Sequence, residues 1–280
     1  MIAGMRSIDA PRNSGKNRDS LATLRYLSVW FCLAVFPFAS TIATPDELVF
    51  CFEDDNVRPW QTKNGSGLSF DLLELVAADV RLRFQYRAAP WKRCFFDLKG
   101  KVYDGIISVS FKPDRLEFGH YPGGDKPDTS KAIYVERYVV ARRKGTTVNW
   151  NGRSFEKLAG MTGAQLGYSV IDDLRRSNVP VDDGARTSSD VLNKLVTERI
   201  DAAIMLQGEL SFLLAESAAL RDKVEVLPIP FAEKPYYLML SNQLVQNRPE
   251  LAARIWSSVA RQRANPAYIE KERRALGLVK

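Results

Sequence analysis

The order of elements along this chain predicts an α/β protein of two lobes, each a mostly parallel sheet with flanking helices. Two observations carry that expectation. Between residues 48 and 109, short apolar strands alternate with amphipathic helices in a β-α-β-α-β order, the pattern of a parallel, doubly wound sheet with its ligands at the strands' C-terminal edge. After residue 142 the same grammar starts again, and a long extended segment stands at each border, Ile133 to Arg142 and Phe231 to Ser241. The chain therefore enters the second lobe near residue 140 and returns near 231, and the first lobe is built from both ends. The expected division is 44–138 plus 232–280 for one lobe and 139–231 for the other, with a ligand cleft between them.

Each element has its own signal. Leu48 to Phe52 is a short apolar run that ends in the acidic loop Glu53-Asp54-Asp55. From Phe70 to Val80, apolar residues recur at Leu72, Leu73, Leu75, Val76 and Val80, a helical spacing with Ser69 as its expected cap. Phe84 to Arg87 alternates as a strand, Trp91 to Leu98 reads as a helix stopped by Gly100, and Tyr103 to Val109 is a strand. In the second half, Gly163 to Gly167 reads as a strand followed by a helix from Ser169. Ser188 to Glu198 is a well-capped amphipathic helix, Asp201 to Met205 a strand, Gln207 to Leu220 a helix, and Val224 to Ile229 a strand. Two helices, Pro249 to Arg263 and Pro266 to Leu276, close the chain.

Composition excludes several classes. The 280 residues carry 40 Lys and Arg against 33 Asp and Glu, a net charge of +7, of which the first 43 residues hold +3. What remains is spread out, without the basic blocks and interleaved aromatics of a nucleic-acid binder. The first 43 residues read as a targeting segment with an N-terminal extension. Arg25 precedes an apolar run from Leu27 to Phe38, shorter than the ~20 residues that span a bilayer. Thr41-Ile42-Ala43 then fits a signal-peptidase site, with cleavage near Ala43 and an exported, periplasmic product expected. An uncleaved anchor is the alternative. Export removes Cys32 and leaves Cys51 and Cys94, an even pair in an oxidising compartment. They read as one disulfide, or else as two buried thiols. The single histidine, His120, has no ligand partners at useful spacing, so no metal and no cofactor are expected. No Gly-x-Ser-x-Gly, phosphate loop or zinc-protease motif is present, and no catalytic residue is expected.

The stretch from Pro90 to Pro122 carries the chemistry. Its strand ends in two hydroxyls, Ser108 and Ser110, and Arg115 follows five residues later, just past Pro113. Hydroxyls, free amides and one guanidinium at a single sheet edge can hold a small anion without reacting with it. At this point the chain resembles the periplasmic solute-binding proteins of family 3, the receptors for polar amino acid uptake. The motifs that carry the likeness are G-L-S-F-D-L-L (67–73), Y-D-G-I-I-S-V-S-F-K-P-D-R (103–115), G-A-Q-L-G-Y-S (163–169) and R-I-D-A-A-I (199–204), in that order over roughly 46–276. The cysteine in P-W-K-R-C, with another on the first strand, resembles a divergent branch of that family.

The resemblance implies the two-lobe periplasmic-binding-protein fold and a receptor that passes its ligand to an ABC permease in the inner membrane. It implies that Arg115 clamps a ligand carboxylate as a bidentate pair, that Ser108 and Ser110 contact the same group, and that Gly167, Tyr168 and Ser169 offer free amides from the second lobe. An ion pair of Arg115 with Asp114 or Glu117 is the alternative for that residue. One departure stands out. Receptors of this family carry an acid after the strand that is Asp201 to Met205 here, to pair with a ligand ammonium, and this chain has Leu206 at that place. Either the acid comes from Glu53, Asp54 or Glu209, or the ligand is not an α-amino acid.

Glu53 is also a candidate ligand contact from the residues alone, with a solvated acidic loop as the alternative. Trp60, Trp91 and Tyr236 are candidates for an aromatic wall, and Arg93 for a residue facing the cleft; Lys157, Arg175 and Arg176 read as exposed charges. The expected function is capture of a small polar or anionic ligand by a monomeric exported protein. The alternatives are a dehydratase-like periplasmic enzyme on the same fold and a ligand-sensing module for a separate signalling partner.

Overall fold

The structure, a computed structural model, describes residues 46–278. The expected signal segment and cleavage near Ala43 fall outside the described residues. From the first of these residues the chain forms β1 (Glu47–Glu53), α1 (Leu68–Val80), β2 (Arg83–Ala89), α2 (Trp91–Lys99) and β3 (Gly105–Ser110). All three strands run parallel in the order β2-β1-β3, as alternating strands and helices require. A 3-10 turn, Pro113–Glu117, the two-residue β4 (Gly119–His120) and a second 3-10 turn, Thr129–Lys131, lead to the first long crossover strand, β5 (Tyr134–Arg143).

The second repeat begins with the small hairpin of β6 (Asn149–Trp150) and β7 (Phe155–Glu156). It continues through β8 (Thr162–Gln165), α3 (Val170–Arg176), β9 (Val181–Ala185), α4 (Ser188–Val196) and β10 (Ala202–Leu206). Then come α5 (Gln207–Glu216), α6 (Ala218–Lys223) and β11 (Val224–Val226), before the second crossover strand, β12 (Ala232–Ser241). Helices α7 (Asn242–Asn247), α8 (Pro249–Arg263) and α9 (Pro266–Ala275) complete the described chain, α8 packing on α1.

The crossover strands join the two sheets into one path, β2-β1-β3-β12-β5-β10-β8-β9. Strand β5 changes partner halfway: Tyr134 to Tyr138 pair with β12, while Tyr138 to Arg142 pair with β10. Ser110, Tyr236 and Tyr134 consequently face one another across β3, β12 and β5, and Tyr138 faces Leu206. Register alone brings these five residues to the junction of the two sheets.

Apolar residues fill both faces of the first sheet. On one face Leu72, Leu73 and Val76 of α1 pack with Ile255 and Val259 of α8; on the other, Cys94, Phe95 and Leu98 of α2 pack with Ile106 and Val109. A disulfide joins Cys51 in β1 to Cys94 in α2, with Cα atoms 5.6 Å apart, and so pins the helix that opens beside the cleft. Around β10, Leu192 and Leu195 of α4 and Leu210 of α5 close the second core.

Four local readings need correction. Ser69 is not the cap of α1 but a buried residue inside it; Gly67 is the N-cap, at φ 121°, where an added Cβ would meet the Trp60 carbonyl at 2.6 Å. The helix expected over Gln207 to Leu220 breaks at Ser217, whose backbone is extended and whose hydroxyl accepts from Leu220 N to start α6. Strand β9, Val-Asp-Asp-Gly-Ala, carries no apolar alternation and was not expected. It lies at a sheet edge, where acids pair with Lys194 and Arg175 and protect the exposed strand. Arg93 does not line the cleft cavity; it is mostly exposed and pairs along α2 with Asp97.

Candidate ligand-binding site

The ends of β1, β3 and β8, the middle of both crossover strands and the start of α3 converge on one small cavity. Glu53, Trp91, Ser108, Ser110, Arg115, Tyr134, Tyr138, Tyr168, Ser169, Leu206 and Tyr236 line it, and its free volume is about 20 Å³, enough for a water-sized group. The lobes meet here, so a larger ligand requires them to part.

Arg115 is the charged centre. The 3-10 turn begins at Pro113, whose fixed φ bends the chain back after β3, so the guanidinium returns beneath the strand end. It is 5 % exposed. Its Nη1 donates to the Ser110 carbonyl at 2.6 Å and to Ser110 Oγ at 3.1 Å, and its Nη2 donates to the Gly167 carbonyl at 2.8 Å. The rings of Trp91 and Phe95 lie 5.4 and 5.2 Å from Cζ. Among the described residues it forms no ion pair, with Asp114 and Glu117 engaged instead by Lys112 and Lys99. A buried cation with donors left over and no carboxylate is poised for an anion.

Two further polar atoms point the same way. Ser108 Oγ and Trp91 Nε1 are buried and have no hydrogen-bond partner, although both residues line the cavity. Ser108 also holds a left-handed backbone at φ 63°, a conformation uncommon for a side-chain-bearing residue and typical of functional strand ends. Ser110 Oγ lies 2.8 Å from Ser169 Oγ across the cleft, and Lys234 Nζ donates to Ser169 Oγ at 3.0 Å while pairing with Asp173. Burial holds the Lys234 ammonium below its ordinary pKa.

The opposite wall is acidic. Glu53, at the end of β1, is buried rather than solvated; it accepts from Gln165 Nε2 at 2.8 Å through Oε1 and from Tyr168 Oη at 2.8 Å through Oε2. Tyr168 Oη also lies 2.6 Å from Glu209 Oε1, in the first turn of α5. Desolvation pushes the Glu53 carboxyl up to about 8, and the same burial, with Glu53 as a like-charged neighbour, holds Glu209 well above the usual carboxylate range. Asp54 is exposed, and Asp55 faces the N-terminus of α4 through Ser188.

Aromatic rings form the floor. Trp60, Tyr134 and Tyr236 stack in a row with centroids 4.2 and 5.0 Å apart and nearly parallel planes. Trp60 therefore stands behind Tyr134, outside the cavity lining, where its Nε1 donates to Glu136 at 2.6 Å. Gly167 contributes its carbonyl to Arg115, and the Tyr168 amide is engaged by the Gln165 carbonyl. The free-amide role is thus not held by Tyr168. Sequence reasoning missed Tyr134, Tyr138, Gln61 and Gln165. A signal existed for the tyrosines: Tyr134, Glu136 and Tyr138 occupy the buried alternate positions of β5, an unusual polar-aromatic face for a crossover strand.

Among the described residues, no group of three or more His, Cys, Asp and Glu side chains could hold a metal ion, and no helix is long and apolar enough to cross a membrane. No family model matches the chain, and no curated protein matches it. Solved structures do match. One is the GluR0 ligand-binding core from Nostoc punctiforme in complex with L-glutamate, at 18% identity and a TM-score of 0.61, covering 81% of this chain and 98% of that one. A second is an arginine transport-system periplasmic binding protein from Legionella pneumophila, at 15% identity and a TM-score of 0.65, covering 80% and 97%. A third is a histidine kinase sensor domain similar to periplasmic binding proteins, at 16% identity and a TM-score of 0.67, covering 83% and 97%. These likenesses establish the two-lobe periplasmic-binding-protein fold.

Proposed function

We propose that this chain is an exported solute receptor that captures a small molecule bearing a carboxylate in the cleft between its lobes, and that Arg115 anchors that group. The observation that carries the reading is the buried Arg115 guanidinium, unpaired among the described residues, beside the partnerless Ser108 hydroxyl. In this reading the lobes comprise 44–138 with 232–280, and 139–231, and the hinge falls where β5 exchanges β12 for β10 at Tyr138. Ligand docks on the β3 edge through Arg115, Ser108 and Ser110. Ser169 and the Gly167 turn then close from the other side, against Trp91 and the tyrosine floor. The closed form, a periplasmic monomer, presents both lobes to an ABC permease for uptake. Support comes from fold neighbours that include a ligand-binding core in complex with L-glutamate and an arginine transport-system periplasmic binding protein.

A thermal-shift screen of the mature chain with amino acids, dicarboxylates and amines tests the reading. A specific ligand raises the melting temperature progressively above its Kd. Absence of a shift with every carboxylate-bearing compound contradicts it. A sensing role is a second reading, favoured by the likeness to a kinase sensor domain; it uses the same cleft and differs only in the partner that reads closure.

A further inference from the structure

The Glu53–Tyr168–Glu209 chain contains a proton the ordinary count does not supply. Tyr168 has a single hydroxyl hydrogen, yet its oxygen lies 2.8 Å from Glu53 Oε2 and 2.6 Å from Glu209 Oε1. Two ionised carboxylates cannot both be satisfied by one hydrogen. The second hydrogen bond needs a proton on a carboxyl, which then donates to the phenolic oxygen. All three residues are buried, so an unshared second negative charge would be costly.

The surroundings reinforce this. Asp54 and Asp55 on the loop after β1 and Glu136 on β5 add negative charge nearby, and Tyr134 and Tyr138 face the group from β5. Among the described residues, Arg115 is the cation that bears on Glu53, and it is turned toward Ser110 and Gly167. No lysine or arginine pairs with either glutamate among the described residues. Gln165 Nε2 supplies the only other donor to Glu53 among the described residues.

We propose that Glu53 and Glu209 share one proton through Tyr168 and form the cleft's cation subsite, which takes a ligand ammonium or guanidinium in exchange for that proton. The inference rests on the reading of the cleft as a ligand site. It accounts for Leu206, which is buried beside Tyr138 and brings no acid. The counter-charge lies instead at the end of β1 and the first turn of α5, one carboxyl on each side of the cleft. Lobe opening frees Glu53 from Tyr168 and Gln165; when a cation enters, the carboxyl O–H bond breaks and the proton leaves to solvent. One positive charge replaces another, and the site keeps its net charge. Ligand binding then releases a proton, and affinity for a cationic ligand rises with pH, by at most roughly tenfold per pH unit, until the pair is ionised.

The test has two arms. Infrared spectroscopy of the ligand-free mature protein at neutral pH, with carbon-13 in the glutamate carboxyls, should show a protonated-carboxyl band. That band should vanish in both E53Q and E209Q, since the introduced amide donates to Tyr168 and the remaining carboxylate accepts from it. The second arm measures thermal shifts with L-arginine, L-glutamine and glutarate at about pH 6 and about pH 9. The expected result is stabilisation by an amine-bearing probe that strengthens with pH in the wild type and loses its pH dependence in E209Q. Absence of the band overturns proton sharing. If glutarate alone stabilises the protein, and R115A abolishes the effect, the cleft reading stands and the cation subsite falls. If none of the three probes stabilises the protein at either pH, the cation subsite falls, and the cleft reading stands or falls on the full carboxylate screen.

Discussion

Arg115 and Ser108 differ in what they do for the fold, and that difference makes each testable alone. The Ser108 hydroxyl satisfies no protein partner, so removing it leaves no orphaned group behind. Ser108→Ala should therefore change folding stability by less than about 0.5 kcal/mol, while weakening ligand binding by about 1 kcal/mol, roughly fivefold. Paired chemical denaturation and titration separate the two effects; a large stability loss would mean that the hydroxyl is structural. Tyr168 behaves oppositely, since its hydroxyl ties Glu53 to Glu209. Legibility was uneven at this scale. Arg115, Ser108 and Ser110 lie within eight residues of one another and could be read from their spacing. The acidic residues were candidates one by one, but their meeting could not be read, because Glu53, Tyr168 and Glu209 are separated by 115 and 41 residues and come together only through the sheet junction.

Among the elements, α2 and α5 decide how well the cleft is built. The Cys51–Cys94 bond closes a loop with a sequence separation of 43 residues, which chain entropy rates at about 4 kcal/mol at most. Replacing both cysteines by alanine should cost about 2–4 kcal/mol in denaturant unfolding, and an unchanged midpoint would remove the bond from the account. Helix α5 sits tight against the loop before Trp60: a Cβ at Gly208 would meet the Arg58 carbonyl at 2.0 Å. Gly208→Ala should push the first turn of α5 outward, carry Glu209 away from Tyr168 and destabilise the protein by about 1–3 kcal/mol. Strongly periodic elements, α1, α4 and α8, were legible because one face of each is buried along its whole length. Strand β9 was not, because its place in the sheet comes from backbone pairing with β8 at an edge, and its acids answer to neighbouring cations rather than to the core.

For the molecule as a whole, the buried acids set a pH dependence whose sign follows from their direction of shift. Glu53 binds its proton more tightly in the folded state, with a pKa raised from the ordinary carboxylate range to about 8. That contribution to stability is complete below the unfolded pKa, near 4.5, and is lost progressively as pH rises through about 8. The expected slope is at most about 1.4 kcal/mol per pH unit per proton, and it should flatten in E209Q, whose amide donates to Tyr168 in place of the shared proton. Denaturant melts across that window check it; a slope of opposite sign would contradict a shared proton. The two-lobe layout was legible from the repeated α/β grammar and the two extended segments, which became β5 and β12. The contacts on which the proposed closure rests were not, since Ser110 with Ser169 and Arg115 with Gly167 link distant parts of the chain.

Calorimetric titration of wild type and Arg115→Ala with the strongest stabiliser from the thermal screen asks whether Arg115 anchors a carboxylate between the lobes. Loss of a buried charge-assisted contact predicts a weakening of about 3 kcal/mol, roughly 100-fold or more in Kd. Equal affinity in the folded variant would contradict the account.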